Sequence, residues 1–314
     1  MGVDQSLVPI VDLLQPEGLP ADPQRIVAAM ADALEHHGFM YLRGHSLGPR
    51  VESAFEMSRR FFALDHATKM RSRYQQIDAN FGYQGLEIES LDPTNAPDLK
   101  ETFTMRNAPA LPAEDARWPD VAFRTQAVDF YQAALAQVHG LLALMAQALD
   151  LPQQFFTPLH RGENVTLRYL HYPAGVAQRD QRQLGAGEHT DYGSITLLFQ
   201  DEVGGLEVCG RDGRWIAAPP IPGCAVINTG DLMERWTNGR FRSTPHRVRP
   251  IAGARDRYSI ALFVDPDSDT RVECIPSCVD AGHPARYPPV TAGEHLHRRI
   301  AATHEAGGKR LPHR

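Results

Sequence analysis

His189 and Asp191 stand two positions apart in "GEHTDYGSITLLFQD", residues 187–201, where the sequence begins to run into apolar residues. If that stretch is extended, residues i and i+2 project from one face, and an imidazole and a carboxylate are aimed at one point a few ångströms apart. Of the fourteen histidines only His189 is followed two positions later by an acid. Surface strands carry such pairs by chance, so the pair acquires meaning only with a third donor.

His246, in "GRFRSTPHRVRP", is the best-placed third donor because it opens a later strand after a polar turn. Two imidazoles and one carboxylate on one face of a metal leave positions open, the ligand set associated with non-haem iron(II) oxygenases. Zinc accepts the same donors, so ligand type leaves the metal undecided. "RYSIALFVDPD" adds a second constellation: Arg257 and Ser259 stand two apart on a predicted strand following that of His246. An arginine fork beside a hydroxyl suits a carboxylate, and a keto acid chelating iron needs such a grip at its far end. Alone, an R-x-S pair reads as a surface arginine beside a solvated serine; next to a candidate metal site it reads as an anion grip.

The elements that must position these residues change character near residue 160. Before it the pattern is helical: Asp22 and Pro23 open a helix with the stripe Ile26, Met30, Ala33 and Leu34 that Gly38 ends, "FMYL" reads as a short strand, and helices follow over "RVESAFEMSRRFFAL" and "VAFRTQAVDFYQAALAQVHGLLALMAQALDL". Residues 75–118 are rich in Gly, Pro, Asn and Asp without a sustained period and read as a long loop region of the kind that covers active sites. After residue 160 come "NVTLRYLHYP", "SITLLFQ", "GLEVCG", "WIAAPP", "CAVINTG", "HRVRP" and "RYSIALFV", the mark of an all-β barrel or sandwich. The expected fold is mainly β with flanking helices.

Composition bounds the function. With 314 residues, 42% of them hydrophobic, the chain can bury a full core. Its 32 basic and 38 acidic residues give a net charge of -6 without long runs of either sign, which argues against nucleic-acid and membrane partners and for a small-molecule substrate. No stretch approaches the ~20 apolar residues of a membrane span, and the opening residues lack a basic leader followed by an apolar stretch. Cys209, Cys224, Cys274 and Cys278 are scattered and read as free thiols. The expectation is a cytoplasmic monomer.

Taken together these residues resemble the iron and 2-oxoglutarate-dependent dioxygenases of the isopenicillin N synthase-like family. The resemblance runs from "VPIVDL" and "HGFMYLRGH" through "LKETFTM" and is most specific in "EHTDYGSITLLFQDEVGGLEV", "VINTGDLMERWTNGRFRSTPHRV" and "RYSIALFV". It implies a double-stranded β-helix core (a cupin-like jelly roll), His189, Asp191 and His246 as iron(II) ligands, and Arg257 with Ser259 on the distal carboxylate of 2-oxoglutarate. Tyr172 in "LHYP" matches a tyrosine that contacts the co-substrate, while Leu170 departs from the asparagine of many plant members. The implied reaction consumes O2 and 2-oxoglutarate, with ascorbate as a supporting reductant, and releases succinate and CO2. Hydroxylation is the default outcome, desaturation or cyclisation and an ethylene-forming-type reaction the variants. Two rivals are a 2-oxoglutarate-independent iron oxidase (isopenicillin N synthase-like or ACC oxidase-like) and a non-catalytic metabolite-binding barrel. The division expected is 1–118 as a helical and strand region with the active-site loop packed on the core, 119–158 as a scaffold helix, 159–275 as the catalytic core, and 276–314 as a C-terminal helix and tail.

Arg168 alternates with Leu170 and Tyr172 on one face of "TLRYLHYP" and is expected to line the same cavity. Two roles compete for it, an anion-binding contact to a small acidic substrate and an ion pair with an acid such as Glu207 or Asp231. Trp236 reads as packing, Gly204 and Gly205 as a hairpin turn, His36 and His37 as a helix end, and His295 and His297 as an exposed helix face.

Overall fold

The computed structural model describes residues 8–15, 18–75, 79–92, 94–176, 183–250 and 255–306. A short strand β1 (Ile10–Asp12) precedes helix α1 (Pro23–His36). The Asp22 side chain caps that helix by accepting the Gln24 backbone N–H at 3.1 Å, with Pro23 opening the first turn. Strand β2 (Phe39–Arg43) is followed by α2 (Gly48–Phe62), α3 (His66–Arg71), β3 (Phe81–Gln84) and β4 (Glu101–Arg106). The long helix α4 (Val121–Ala148) is capped in the same way, Asp120 accepting from the Phe123 N–H at 2.7 Å.

The second half supplies β5 (Val165–Tyr172), β6 (Ala186–His189), β7 (Ile195–Gln200), β8 (Leu206–Cys209), β9 (Trp215–Ala217) and β10 (Cys224–Thr229). A short helix α5 (Asp231–Trp236) leads to β11 (His246–Val248), β12 (Arg257–Val264), β13 (Arg271–Val272), β14 (Val290–Thr291) and the C-terminal helix α6 (Ala292–Ala306). Eight strands form one sheet in the order β1-β2-β10-β7-β12-β5-β4-β3; β6-β11-β8-β9 form the second. These two sheets carry the expected jelly roll.

Period-2 alternation divides the large sheet into two working faces. Tyr169, Leu167, Val165, Ile195, Leu197, Phe199, Ile227, Ile260, Leu262 and Val264 face outward into the core that α1, α2 and α4 cover. The opposite positions face the smaller sheet, where Phe39, Tyr41, Leu170, Tyr172, Leu206, Val208 and Val248 make a second apolar cluster.

Two expectations need correction. The first 118 residues are not only packed on the core: β1 to β4 are strands of the large sheet, and β3 and β4 lie inside the stretch read as a loop. β4 is not legible in the sequence because "ETFTMR" is short and buried on both faces, Thr104 pointing into a cavity rather than water. His295, read as exposed, is half-buried with Nε2 3.9 Å from Asp231, because α6 lays that face on the barrel; His297 is exposed as expected. The tail after residue 306 lies outside the described residues. Among those described, no helix is long and apolar enough to cross a membrane.

Candidate metal and anion site

β6 ends on His189 and β11 begins on His246, and the two are direct partners in the antiparallel pairing of these strands. Their rings lie 4.3 Å apart between centroids. Asp191 follows in the turn after β6, so its placement rests on that turn and not on a continuing strand. The turn is tied to the start of α5, the Asp231 N–H donating to the Asp191 carbonyl at 2.8 Å and the Gly230 N–H to the Ser194 carbonyl at 3.1 Å. Gly193 is required here for space: a Cβ would fall 1.4 Å from an Asp265 carboxyl oxygen.

Donor atoms of His189, Asp191 and His246 lie within 4.8 Å of one another. Asp191 Oδ1 is 3.9 Å from His189 Nε2 and 3.7 Å from His246 Nε2. Each Nδ1 faces a carbonyl, Gly187 at 2.8 Å and Thr244 at 3.1 Å. A carbonyl only accepts, so Nδ1 carries the proton and each Nε2 lone pair is left for a metal. The other Asp191 oxygen, Oδ2, accepts from Thr196 Oγ1 at 2.5 Å and Asn228 Nδ2 at 2.7 Å, which turns Oδ1 toward the imidazoles. Burial, reinforced by His246, holds the His189 imidazole well below its usual range and favours the neutral, ligating form. Burial works to raise the Asp191 carboxyl, but His246, His189 and the two hydrogen bonds outweigh it and keep the carboxylate charged. Neutral imidazoles, a fixed carboxylate and a common focus fit a divalent metal of the iron(II) type.

Further along the same inner face sits Arg257, 1% exposed. Nε donates to the Gly204 carbonyl at 2.5 Å, Nη2 to Gln200 Oε1 at 3.1 Å and Nη1 to Ser259 Oγ at 3.3 Å. The guanidinium lies 4.6 Å over the ring of Tyr172, its direct partner across β5 and β12. No carboxylate among the described residues pairs with it. A buried cation held only by neutral groups is prepared for an anion from outside.

Arg168 lines the same cavity but is engaged. It pairs with Glu89, and its Nε and Nη2 donate to Thr104 Oγ1 at 3.1 Å and Thr102 Oγ1 at 3.2 Å. The expected partners are elsewhere, Glu207 on Arg247 at 2.8 Å and Asp231 on Arg299 at 3.3 Å. The geometry therefore favours the ion pair over the substrate-anion role expected for Arg168, with Glu89 as the carboxylate that answers its charge. Sequence reasoning missed four further residues: Thr196 and Asn228, which orient Asp191, and the buried Lys100, which pairs with Asp98 and lies 3.5 Å from Glu89, as well as Asp265 beside the metal turn. Only the alternation of their strands could have placed Thr196 and Asn228 inward.

These residues line one cavity of about 190 Å³. Leu296 and Ile300 of α6 close one wall. Arg299 ties that helix to the metal turn, its Nη2 donating to Thr190 Oγ1 at 3.1 Å and its guanidinium 4.6 Å over Tyr192.

Residues 154–266 match the model of the 2OG-Fe(II) oxygenase superfamily, and residues 8–124 that described as non-haem dioxygenase in morphine synthesis N-terminal. The 2-oxoglutarate-Fe(II) type oxidoreductase hxnY of Emericella nidulans is 34% identical over 285 residues, 85% of this chain and 81% of that protein. Among solved structures, a full-length Neurospora crassa protein in complex with alpha-KG and thymine superposes with a TM-score of 0.83 at 31% identity, covering 96% of this chain and 99% of that one. A 2OG-Fe(II) oxygenase family protein of Caulobacter crescentus gives 0.79 at 32% identity, covering 94% and 98%.

Proposed function

Because the chain belongs to the 2OG-Fe(II) oxygenase superfamily and is an oxidoreductase dependent on iron(II) and 2-oxoglutarate, we propose that His189, Asp191 and His246 hold its iron and that Arg257, with Ser259 and Tyr172, holds the distal carboxylate of 2-oxoglutarate. Bound iron(II) and 2-oxoglutarate supply with O2 the oxidising chemistry, in which 2-oxoglutarate is decarboxylated to succinate and CO2 while a C–H bond of the substrate is oxidised.

The chain's own part is to position and to shield. His189 and His246 present lone pairs from facing strands, and Thr196 with Asn228 keeps the Asp191 carboxylate from rotating. Arg257 gives the co-substrate one orientation, since its Nε is already committed to Gly204 and its outer nitrogens face Ser259 and Gln200. Leu170, Leu206 and Val248 wall this region with apolar surface and exclude water. We take the outcome to be hydroxylation of a small anionic metabolite, since hydroxylation needs no catalytic group beyond these. The Neurospora crassa relative, solved with thymine, supports a small substrate. The four free thiols support a protein of a reducing compartment, the cytoplasm, where we take it to act as a monomer.

The observation that carries the reading is the shared focus of Asp191 Oδ1 and the two Nε2 atoms. The test is His246→Ala. Iron content and 2-oxoglutarate-dependent succinate release are expected to be lost while the circular dichroism spectrum is retained; full iron occupancy in this variant would sink the assignment.

A further inference from the structure

Arg106 differs from Arg168 and Lys100, the other cations at its end of the cavity. Arg168 and Lys100 are answered by Glu89 and Asp98. The Arg106 guanidinium makes no hydrogen bond or ion pair with any described residue, and its buried Nε is without a partner. A cation placed against a protein cavity with no anion bonded to it is open to one from outside.

Its position in the sheet says where that anion belongs. Arg106 closes β4 and pairs with Thr166 of β5; Thr166 pairs with Phe263 of β12, Phe263 with Thr196 of β7, and Thr196 with Asn228 of β10. All five line the cavity. One cross-strand row thus leads from the two groups that hold Asp191, over the Phe263 ring, to the unpartnered guanidinium. Three strand spacings separate Thr196 from Arg106, about 14 Å of sheet at the usual spacing of ~4.8 Å. An arginine side chain and a molecule of about one ring fill that distance together. Arg257 and Ser259 lie at the opposite end of β12, so Arg106 does not compete with the proposed co-substrate grip. Asp265 also lines the cavity, its carboxyl pushed up to about 7 by burial against the lowering charge of Arg106, but the two make no hydrogen bond or ion pair.

We propose that Arg106 anchors the carboxylate of the primary substrate, a small acid lying over Phe263 with the carbon to be oxidised toward Asp191. The inference rests on the iron and 2-oxoglutarate reading above and assigns the substrate class of that site. It replaces Arg168 with Arg106 as the residue that reads the anion.

The test uses the protein loaded anaerobically with iron(II) and 2-oxoglutarate, and benzoate, phenylacetate and cyclohexanecarboxylate as probes, each beside its primary amide. Calorimetry reads binding of each probe; the absorption band of the iron(II) and 2-oxoglutarate complex reads the other site in the same samples. The wild type is expected to bind at least one acid more tightly than its amide, and Arg106→Gln to abolish that preference through a loss of roughly 30-fold or more in acid affinity. Arg106→Lys should retain part of it. Removing the guanidinium breaks no hydrogen bond or ion pair of the fold, and the wild-type comparison of acid with amide needs no variant. Equal binding of acids and amides by the wild type, binding of no acid, or an acid preference that survives in Arg106→Gln would overturn the proposal. An acid preference lost in Arg106→Gln while the absorption band never forms would leave the anchor standing and bring down the metal and co-substrate assignment instead.

Discussion

Thr196 and Asn228 touch neither the proposed metal nor the co-substrate, yet they should set iron affinity. Both donate to Asp191 Oδ2, at 2.5 and 2.7 Å, and Asp191 is 8% exposed, so water cannot replace a lost donor freely. A hydrogen bond to a charged group contributes about 1.5–3 kcal/mol. The same bonds also stabilise the metal-free carboxylate, so only the orienting part appears in metal binding; the low end of the range for partners that orient ligands, roughly 10-fold in affinity, applies to each. Thr196→Val keeps the shape and strand preference of the side chain and removes only the hydroxyl. Asn228→Ala removes the second donor. Each single variant is expected to weaken iron(II) about 10-fold, and the double variant about 100-fold, since with both donors gone the carboxylate rotates freely. Anaerobic competition with a colorimetric chelator measures this, with the thermal midpoint as a check on folding. Iron affinity within twofold of wild type in a folded double variant would refute the orienting role.

Arg257→Leu should raise the 2-oxoglutarate requirement roughly 30-fold or more, from the ~2–5 kcal/mol carried by a buried charge-assisted contact, read as the KM for 2-oxoglutarate in a succinate assay. Arg168→Ala removes the cation paired with the buried Glu89, leaving Lys100 at 3.5 Å, and should cost about 3 kcal/mol of stability in chemical denaturation, partly restored by adding Glu89→Ala; an unchanged denaturation midpoint would return Arg168 to the substrate. His160 is fully buried between the Phe156 carbonyl and Ser194 Oγ, and burial pushes it down to about 4. Between pH 6.5 and 4 the unfolded chain therefore binds a proton that the native state refuses, and stability falls with falling pH by up to about 3 kcal/mol. A urea titration across that window should show less acid loss in His160→Gln than in wild type.

The candidate metal and anion residues are legible in the sequence because their chemistry survives in local spacing. His189 and Asp191 announce themselves two apart, and so do Arg257 and Ser259, whatever the strands around them do. What escaped was everything that depends on strand pairing. Thr196 and Asn228 read as ordinary strand positions until β7 and β10 lie side by side with these two in register. Glu89 lies in a stretch without period, so nothing in the sequence brings it to Arg168, and the acids offered as examples, Glu207 and Asp231, are held by Arg247 and Arg299. β4 is hidden for the reason that makes it useful: its polar positions Thr104 and Arg106 face a cavity, where they look like a solvated edge in sequence.

The site also explains why two sheets are needed. The imidazoles come from the smaller sheet, through β6 and β11, whereas the groups that orient Asp191 and the proposed co-substrate grip come from the larger one, through β7, β10 and β12. The donor geometry therefore depends on the spacing between sheets, which Phe39, Leu170, Leu206, Val208 and Val248 fill. Close-packed side chains transmit a change in volume as a shift of their neighbours. Phe39 makes the link direct, its ring 5.2 Å from that of His246 in an edge-to-face arrangement. Truncating it leaves all three donors in place but removes the surface against which one of them is held, so packing that carries no ligand atom would act on a bound metal through the way it holds His246.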